Sequence, residues 1–381
     1  MRASLISAAF VAALVGYGST IALVLAAAAA VGADEAQTAS WVLAVCLSKA
    51  IGATILSVWH RVPVVLAWST PGTALVAATS GLSMEMAVGA FVLTGLLIAL
   101  TGLLRPLGQA VARIPDGIAG GMLAGVLLPF VLRGVGAAET APLLVLPMLA
   151  VFALVRLKNP AVAVIAALAA GLALAFGTGQ ALWPALSLPL PRLVLIGPEF
   201  DAGTVVGLVI PLYLVTMASQ NLPGFATMRA AGYEPPVRSG LGVTGILSAL
   251  SAFFGAHTIS MAAITAAICM GPDVHPVKEE RWKVGLAYAA FWTLLGLFSP
   301  TILTLLAALP PQVMLALVGL ALLGALTGAL TTAMAVPEQR FAAVLTLGIT
   351  AAGVPFLGVG AAFWGLVAGV ALYLTERAAR R

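Results

Sequence analysis

From Met86 to Leu104 the chain runs nineteen residues without a charge, and stretches of that kind recur almost from end to end. A helix needs about 20 apolar residues to cross the hydrocarbon core of a bilayer. Recurrence at that length leaves few folds open, because a soluble domain has no interior large enough to hide so many wholly apolar helices. Composition agrees: 62% of residues are hydrophobic and 8% charged, with a mean hydropathy of +1.12, outside the range of soluble domains. The chain reads as a polytopic helical membrane protein. Its opening run, Ser4–Val31, ends in small residues as a signal peptide does, yet is about twice the length of a signal core and reads as a retained first span. Cys46 and Cys269 sit in separate apolar runs, which indicates neither a disulfide framework nor a zinc site.

Spans are expected near 4–31, 38–58, 62–80, 85–104, 116–135, 141–156, 160–178, 203–231, 240–254, 255–271, 284–307, 311–334, 341–352 and 357–374. With the N-terminus cytoplasmic, one side then collects fifteen of the eighteen Lys and Arg, among them Arg2, Arg61, Arg105, Arg113, Arg156, Arg380 and Arg381. That asymmetry follows the positive-inside rule and supports fourteen crossings with both termini cytoplasmic. The net charge of +5 therefore reports orientation in a bilayer, not a nucleic-acid partner. The spans at 240–254 and 341–352 are short, and twelve crossings with re-entrant pieces is the alternative.

Two spans differ from the rest. Residues 62–80, VPVVLAWSTPGTALVAATS, open with a β-leaning stretch, break at Ser69-Thr70-Pro71-Gly72 and continue as small helix formers. Residues 252–271, AFFGAHTISMAAITAAICMG, do the same, with Phe-Phe-Gly, a polar break at His257-Thr258 and a half-helix expected from Ser260. A long span with a polar centre precedes each: Tyr17-Gly18-Ser19-Thr20 in the first half, Ser219-Gln220-Asn221 before Pro223-Gly224 in the second. Seven crossings separate the halves, so the repeat is inverted, and interrupted segments at matching positions point to a midplane substrate site. Two accidental Pro/Gly kinks are the bland reading.

Half-helices that begin in mid-membrane present free N–H groups and a positive dipole end. The expected donors are the backbones of Thr70–Thr73 and Ser260–Ala263, with the hydroxyls of Ser69, Thr70, Thr258 and Ser260. Gln220 and Asn221 would orient a ligand, and Tyr17 and Trp68 would face a ring. Alternatively the hydroxyls bond only carbonyls of their own helices. No carboxylate lies in mid-span, which suits an anionic substrate, with proton coupling preferred to sodium. His257 is a proton-carrying candidate or a hydrogen-bonded packing residue. Lys49 is a counter-ion candidate or a lysine snorkelling to the surface. Gly117, Gly121 and Gly125, Gly324 and Gly328, and Gly365 and Gly369 repeat at four-residue spacing, for internal packing or a homodimer face. No metal-binding His-Glu pair, phosphate loop or nucleophile elbow occurs, so neither a cofactor nor an enzyme activity is expected.

The stretches AWSTPG (67–72), ASQNLPGFATMRAAGYEPP (218–236) and AAITAAIC (262–269) resemble the bacterial benzoate:proton symporter family, BenE, over nearly the whole chain. That resemblance implies the inverted-repeat fold of uracil permeases and sulfate-permease-type anion transporters. It implies a core domain of spans one to four and eight to eleven, here 1–113 and 199–307. It implies a gate domain of spans five to seven and twelve to fourteen, here 114–198 and 308–381. Spans three and ten would each be a short strand plus half-helix, with substrate between Ser69–Gly72 and His257–Ser260, beside Ser219–Asn221. Uracil permeases carry acidic residues in spans eight and ten, and this chain has none there, which turns the expectation from nucleobases to a small aromatic carboxylate imported with protons. An exchanger or uniporter for another anion on the same fold is the alternative.

Overall fold

A computed structural model describes residues 2–104, 114–185, 188–357 and 359–379; Arg105, Arg113, Arg380 and Arg381, used above for orientation, lie outside the described residues. The structure is mostly helical. The first half contains α1 (Ala3–Gly18), α2 (Ile21–Ala30), α3 (Glu35–His60), β1 (Leu66–Trp68), α4 (Thr70–Ala78) and α5 (Met84–Leu103). It continues with α6 (Asp116–Gly136), α7 (Pro142–Lys158) and α8 (Ala163–Gly177). The second half contains α9 (Ala202–Ala230), α10 (Val237–Ala252), β2 (Ile259–Met261), α11 (Ile264–Met270), α12 (Lys283–Leu297) and α13 (Ser299–Ala307). It ends with α14 (Pro311–Ala335), α15 (Arg340–Ala352) and α16 (Ala361–Ala379).

Six of the described helices are long and apolar enough to cross a membrane, counting α1 and α2 as one, or seven if α12 and α13, bent by 55°, form one span. The remaining apolar segments are shorter helices and the two strand-plus-helix units, so length alone does not give fourteen crossings.

Local chemistry explains the breaks. Ser19 and Thr20, between α1 and α2, turn their hydroxyls back onto the carbonyls of Val15 and Gly16 at 2.5 and 2.8 Å, a bond that competes with the helix ladder. α3 starts in a capping box, with Asp34 accepting from the Gln37 N–H and Gln37 accepting from the Asp34 N–H. α9 runs through Pro223-Gly224 without a break. It widens one turn earlier into a π-helical turn over Met217–Asn221, and again at Val205–Val209. Each widened turn ends two residues before a proline, Pro223 and Pro211. Proline has no N–H and crowds the carbonyl four residues back, so a looser turn lets the helix pass it.

The two interrupted segments meet. β1 and β2 form an antiparallel two-stranded ribbon pairing Leu66 with Met261, Ala67 with Ser260 and Trp68 with Ile259. Ser69 N–H to the Thr258 carbonyl (2.9 Å) and Ala262 N–H to the Val65 carbonyl (3.0 Å) extend it. A ribbon so deep in the protein must satisfy its outer edges without bulk water. Ser248 Oγ accepts from Ile259 N–H at 2.9 Å, Asn221 Oδ1 accepts from Met261 N–H at 3.0 Å, and Tyr288 donates to the Leu66 carbonyl at 2.7 Å. The second strand lies after the polar break, not before it: Phe253-Phe254-Gly255 form a turn, with Gly255 at φ +87. The following helix starts at Ile264, not Ser260.

Packing separates two groups of helices. α10 packs on α5 and α3, α12 on α3 and α1, and α2 on α4; α6 packs on α14, α15 and α16, and α7 on α8 and α14. The glycine spacings have different uses. Gly121 and Gly125 of α6 sit against the backbone of Ala343 and Leu347 in α15, and Gly365 and Gly369 of α16 against α15 at Thr350 and Thr346. These are internal contacts. Gly324 and Gly328 of α14 are not: a Cβ at either would meet nothing within 4 Å.

Candidate functional site

A cavity of about 540 Å³ lies between the two helix groups. One wall is polar: Ser19 and Thr20 from the α1–α2 break, Lys49 from α3, Trp68, Thr70 and Pro71 from the first interrupted unit, and Ser219 and Gln220 from the widened turn of α9. The other is apolar and small: Leu123 of α6, Phe152 of α7, and Ala321, Gly324, Ala325 and Gly328 of α14. Towards one end, Asp116, Arg156 and Thr332 join the lining.

Of the expected residues, Ser19, Trp68, Thr70, Pro71, Ser219, Gln220 and Lys49 line this space. Tyr17, Ser69, Gly72, Asn221, His257, Thr258 and Ser260 are buried behind it. Their bonds say what they do there. Ser69 caps α4, accepting from Gly72 N–H at 3.2 Å, and shares a proton with Thr216 at 2.8 Å; Thr216 in turn reaches Thr258 at 3.3 Å. Asn221, instead of orienting a ligand, seals the ribbon edge at Met261. Tyr17 packs its ring against Trp68 and Trp292 with centroids 5.9 Å away.

His257 is held at both ring nitrogens. The Trp41 indole N–H, which can only donate, donates to Nδ1 at 2.8 Å. That assigns the proton to Nε2, which donates to Thr73 Oγ1 at 2.7 Å, while the Thr73 hydroxyl donates to the Ser69 carbonyl at 2.9 Å. His257 is wholly enclosed; neither it nor Thr73 nor Ser69 lines the cavity, and its ring lies 6.2 Å from that of Trp68, which does.

The half-helix ends have less to offer than their position suggests. In α4, Pro71 has no N–H, and those of Gly72 and Thr73 are taken by Ser69. Thr70 is left, with the dipole end behind it. In the second unit the N–H groups of Met261 and Ala262 are spent on the ribbon.

Lys49 changes the electrostatics most. It is 1% exposed, so it does not snorkel to a surface. Its Nζ lies 4.5 Å from the ring centroid of Trp68 and 2.8 Å from that of Trp292. Among the described residues it makes no hydrogen bond, and the one ion pair there, Lys283 with Glu280, is elsewhere. An unpaired buried charge costs several kcal/mol, and desolvated cation–π contacts offset about 2 kcal/mol. A bound anion would let Lys49 carry its charge there. Trp292 was not singled out by sequence: it lies 243 positions from Lys49, and no spacing rule links them. Thr20 was read only as part of a polar centre, and Gly324 and Gly328 only as packing or dimer contacts. Among the described residues no cluster of three or more His, Cys, Asp or Glu is arranged to hold a metal ion.

Comparison with known proteins places this arrangement. Residues 1–375 match the family model BenE, described as benzoate membrane transport protein. The chain belongs to that family. The inner membrane protein YdcO of Escherichia coli K12 is 39% identical over 368 residues, spanning 96% of this chain and 94% of that one. The benzoate membrane transport protein of Acinetobacter baylyi is 35% identical over 367 residues, spanning 96% and 93%. Among solved structures, the transmembrane domain of a cyanobacterium bicarbonate transporter, BicA, aligns with a TM-score of 0.60 at 16% identity, covering 97% of this chain and 98% of that one. The murine anion transporter Slc26a9 in its inward-facing state aligns at 0.60 and 12% identity, covering 100% and 69%. The BenE-family chain is thus a multi-pass membrane transport protein, not an enzyme, with the fold of these anion transporters.

Proposed function

We propose that the chain imports benzoate or a similar small aromatic carboxylate with protons across a bacterial inner membrane. The observation that carries this is Lys49, a buried lysine in the wall of a cavity with no ion pair or hydrogen bond among the described residues. In this reading the carboxylate pairs with Lys49 Nζ near Thr70 and Gln220, and the ring lies between Trp68 and the apolar wall. The relative named as a benzoate membrane transport protein supports the substrate class.

The finer architecture belongs to the same proposal: fourteen spans in a 7+7 inverted repeat, both termini cytoplasmic, a core of 1–113 with 199–307 and a gate of 114–198 with 308–381. The position of the cavity between the two helix groups supports elevator-like alternating access, in which the core carries substrate past the gate. Exposed Asp116 and Arg156 at one end of the cavity lie on the side that the positive-inside reading makes cytoplasmic, which supports reading this as an inward-facing state. A homodimer through the gate is part of the same reading, with cross-linking in membranes as its test.

Uptake of labelled benzoate into proteoliposomes under an imposed pH gradient tests the function. Accumulation that a protonophore abolishes is expected. Benzoate-independent chloride or sulfate exchange would instead favour an anion exchanger or uniporter on this fold. The same assay on His257→Gln tests whether the Trp41–His257–Thr73 chain carries the coupled proton; unaltered pH-driven uptake would remove His257 from that role.

A further inference from the structure

A four-residue glycine repeat on a membrane helix ordinarily brings another backbone close, and in α6 and α16 it does. In α14 it does not. Gly324 and Gly328 face open space, and both line the cavity. Glycine inside a helix is destabilising relative to alanine, and here no packing contact offsets that cost. What the two glycines supply is room. They stand in the same small-residue wall as Ala321, Ala325 and Ala329, while Lys49 and the polar groups of Ser19, Thr20, Thr70, Ser219 and Gln220 line the other wall, and Asp116, Arg156 and Thr332 line one end. Lys49 is the independent sign of a ligand: 1% exposed, lining the cavity, and without a hydrogen bond or ion pair among the described residues.

The cavity thus has a cationic pole and a smooth apolar pole. At about 540 Å³ it falls within the ~300–1,000 Å³ range of sites that enclose drug-sized ligands. A single benzoate ring with its carboxylate at Lys49 leaves much of that volume empty. We propose that Gly324 and Gly328 set the upper size of the ligand, and that the carrier accepts ring-extended aryl carboxylates, such as fused-ring or para-alkyl acids, as well as benzoate. This rests on the reading of the cavity as a carboxylate site.

The test is titration calorimetry on the detergent-purified full chain with benzoate and 2-naphthoate, using wild type, Gly324→Ala, Gly328→Ala and Gly328→Val. Unfolding temperatures without ligand report whether each variant is folded, and the alanine variants, whose added methyl meets open space, supply folded material. Wild type is expected to bind both acids. Gly328→Val is expected to weaken 2-naphthoate about tenfold or more, as a pocket responds to one or two extra carbons, with benzoate held within about twofold, and the alanine variants are expected to shift in the same direction by less. Wild type that binds benzoate but not 2-naphthoate overturns the proposal. So does an equal loss of both acids in folded variants, which would make the glycines a track for the moving core. Failure of wild type to bind either acid would sink the underlying transport reading, and this inference with it.

Discussion

The two strand-plus-helix units look alike in backbone and differ in chemistry. The first brings Trp68, Thr70 and Pro71 to the cavity, and Lys49 on the preceding helix stands beside Trp68. The second contributes Ala262, Ala263 and Thr265, while its polar residues, His257, Thr258 and Ser260, are buried and bonded behind the wall. Two breaks at the same depth face the same physical demand, that irregular backbone in a membrane protein be satisfied internally. Both units meet it with side chains, Ser69 and Thr73 in the first and His257, Thr258 and Ser260 in the second. But the first brings Trp68 and Thr70 to the cavity beside Lys49, and the second only Thr265 among small residues. Backbone symmetry in such a fold therefore does not imply an evenly shared site.

The comparison breaks most visibly at Lys49. Lys49→Met should cost transport about thirtyfold or more, the scale for truncating one partner of a buried charge pair. The ligand-free protein should be as stable or more so, because an unpaired buried charge is removed. Uptake and unfolding temperature read the two opposite signs. Next comes the ribbon. At Gly224 an added methyl would lie 2.5 Å from Met261 Cβ and 3.0 Å from the Ala262 carbonyl. Gly224→Ala should therefore lower stability by about 1–3 kcal/mol, the usual penalty of overpacking, as read by thermal unfolding.

Asn221 and Gln220 sharpen the contrast within one turn. Asn221→Ala leaves the Met261 N–H unsatisfied and should lower stability by about 1–3 kcal/mol. Gln220→Ala should weaken benzoate binding and change stability by less than about 0.5 kcal/mol, as for a site outside the packed interior. If the two effects came out reversed, the assignment of Asn221 to the ribbon would fail. Trp41→Phe leaves the buried His257 Nδ1 without its donor and should lower the unfolding free energy by about 1–3 kcal/mol with benzoate affinity unchanged.

Much of this was legible in the chain. Ser69-Thr70-Pro71-Gly72 announced a break between a β-leaning stretch and a half-helix, and the structure has a strand and a helix on its two sides, with Ser69 as the helix cap. The second break was legible as a break but not in detail: strand-forming Ile259 and Met261 follow the polar residues, and an alanine-rich continuation hides where the helix begins. Spacing tells which residues share a helix face and not what that face meets. So Gly324-x-x-x-Gly328 read as a contact and lines a void, whereas Gly121 and Gly125 read the same way and pack. Asn221 and Gln220 read as one pair, and the widened turn of α9 sends one to the ribbon and the other to the cavity.

The most direct measurement is the thermal unfolding shift of the purified protein with benzoate and with its neutral analogue benzamide, in wild type and Lys49→Met. A ligand that binds only the folded state stabilises it by about 2.7 kcal/mol at one hundred times its dissociation constant. Benzoate should raise the unfolding temperature of wild type and benzamide should not; Lys49→Met should lose the response to benzoate. A full benzoate shift retained in Lys49→Met would contradict the pairing of Lys49 with a substrate carboxylate.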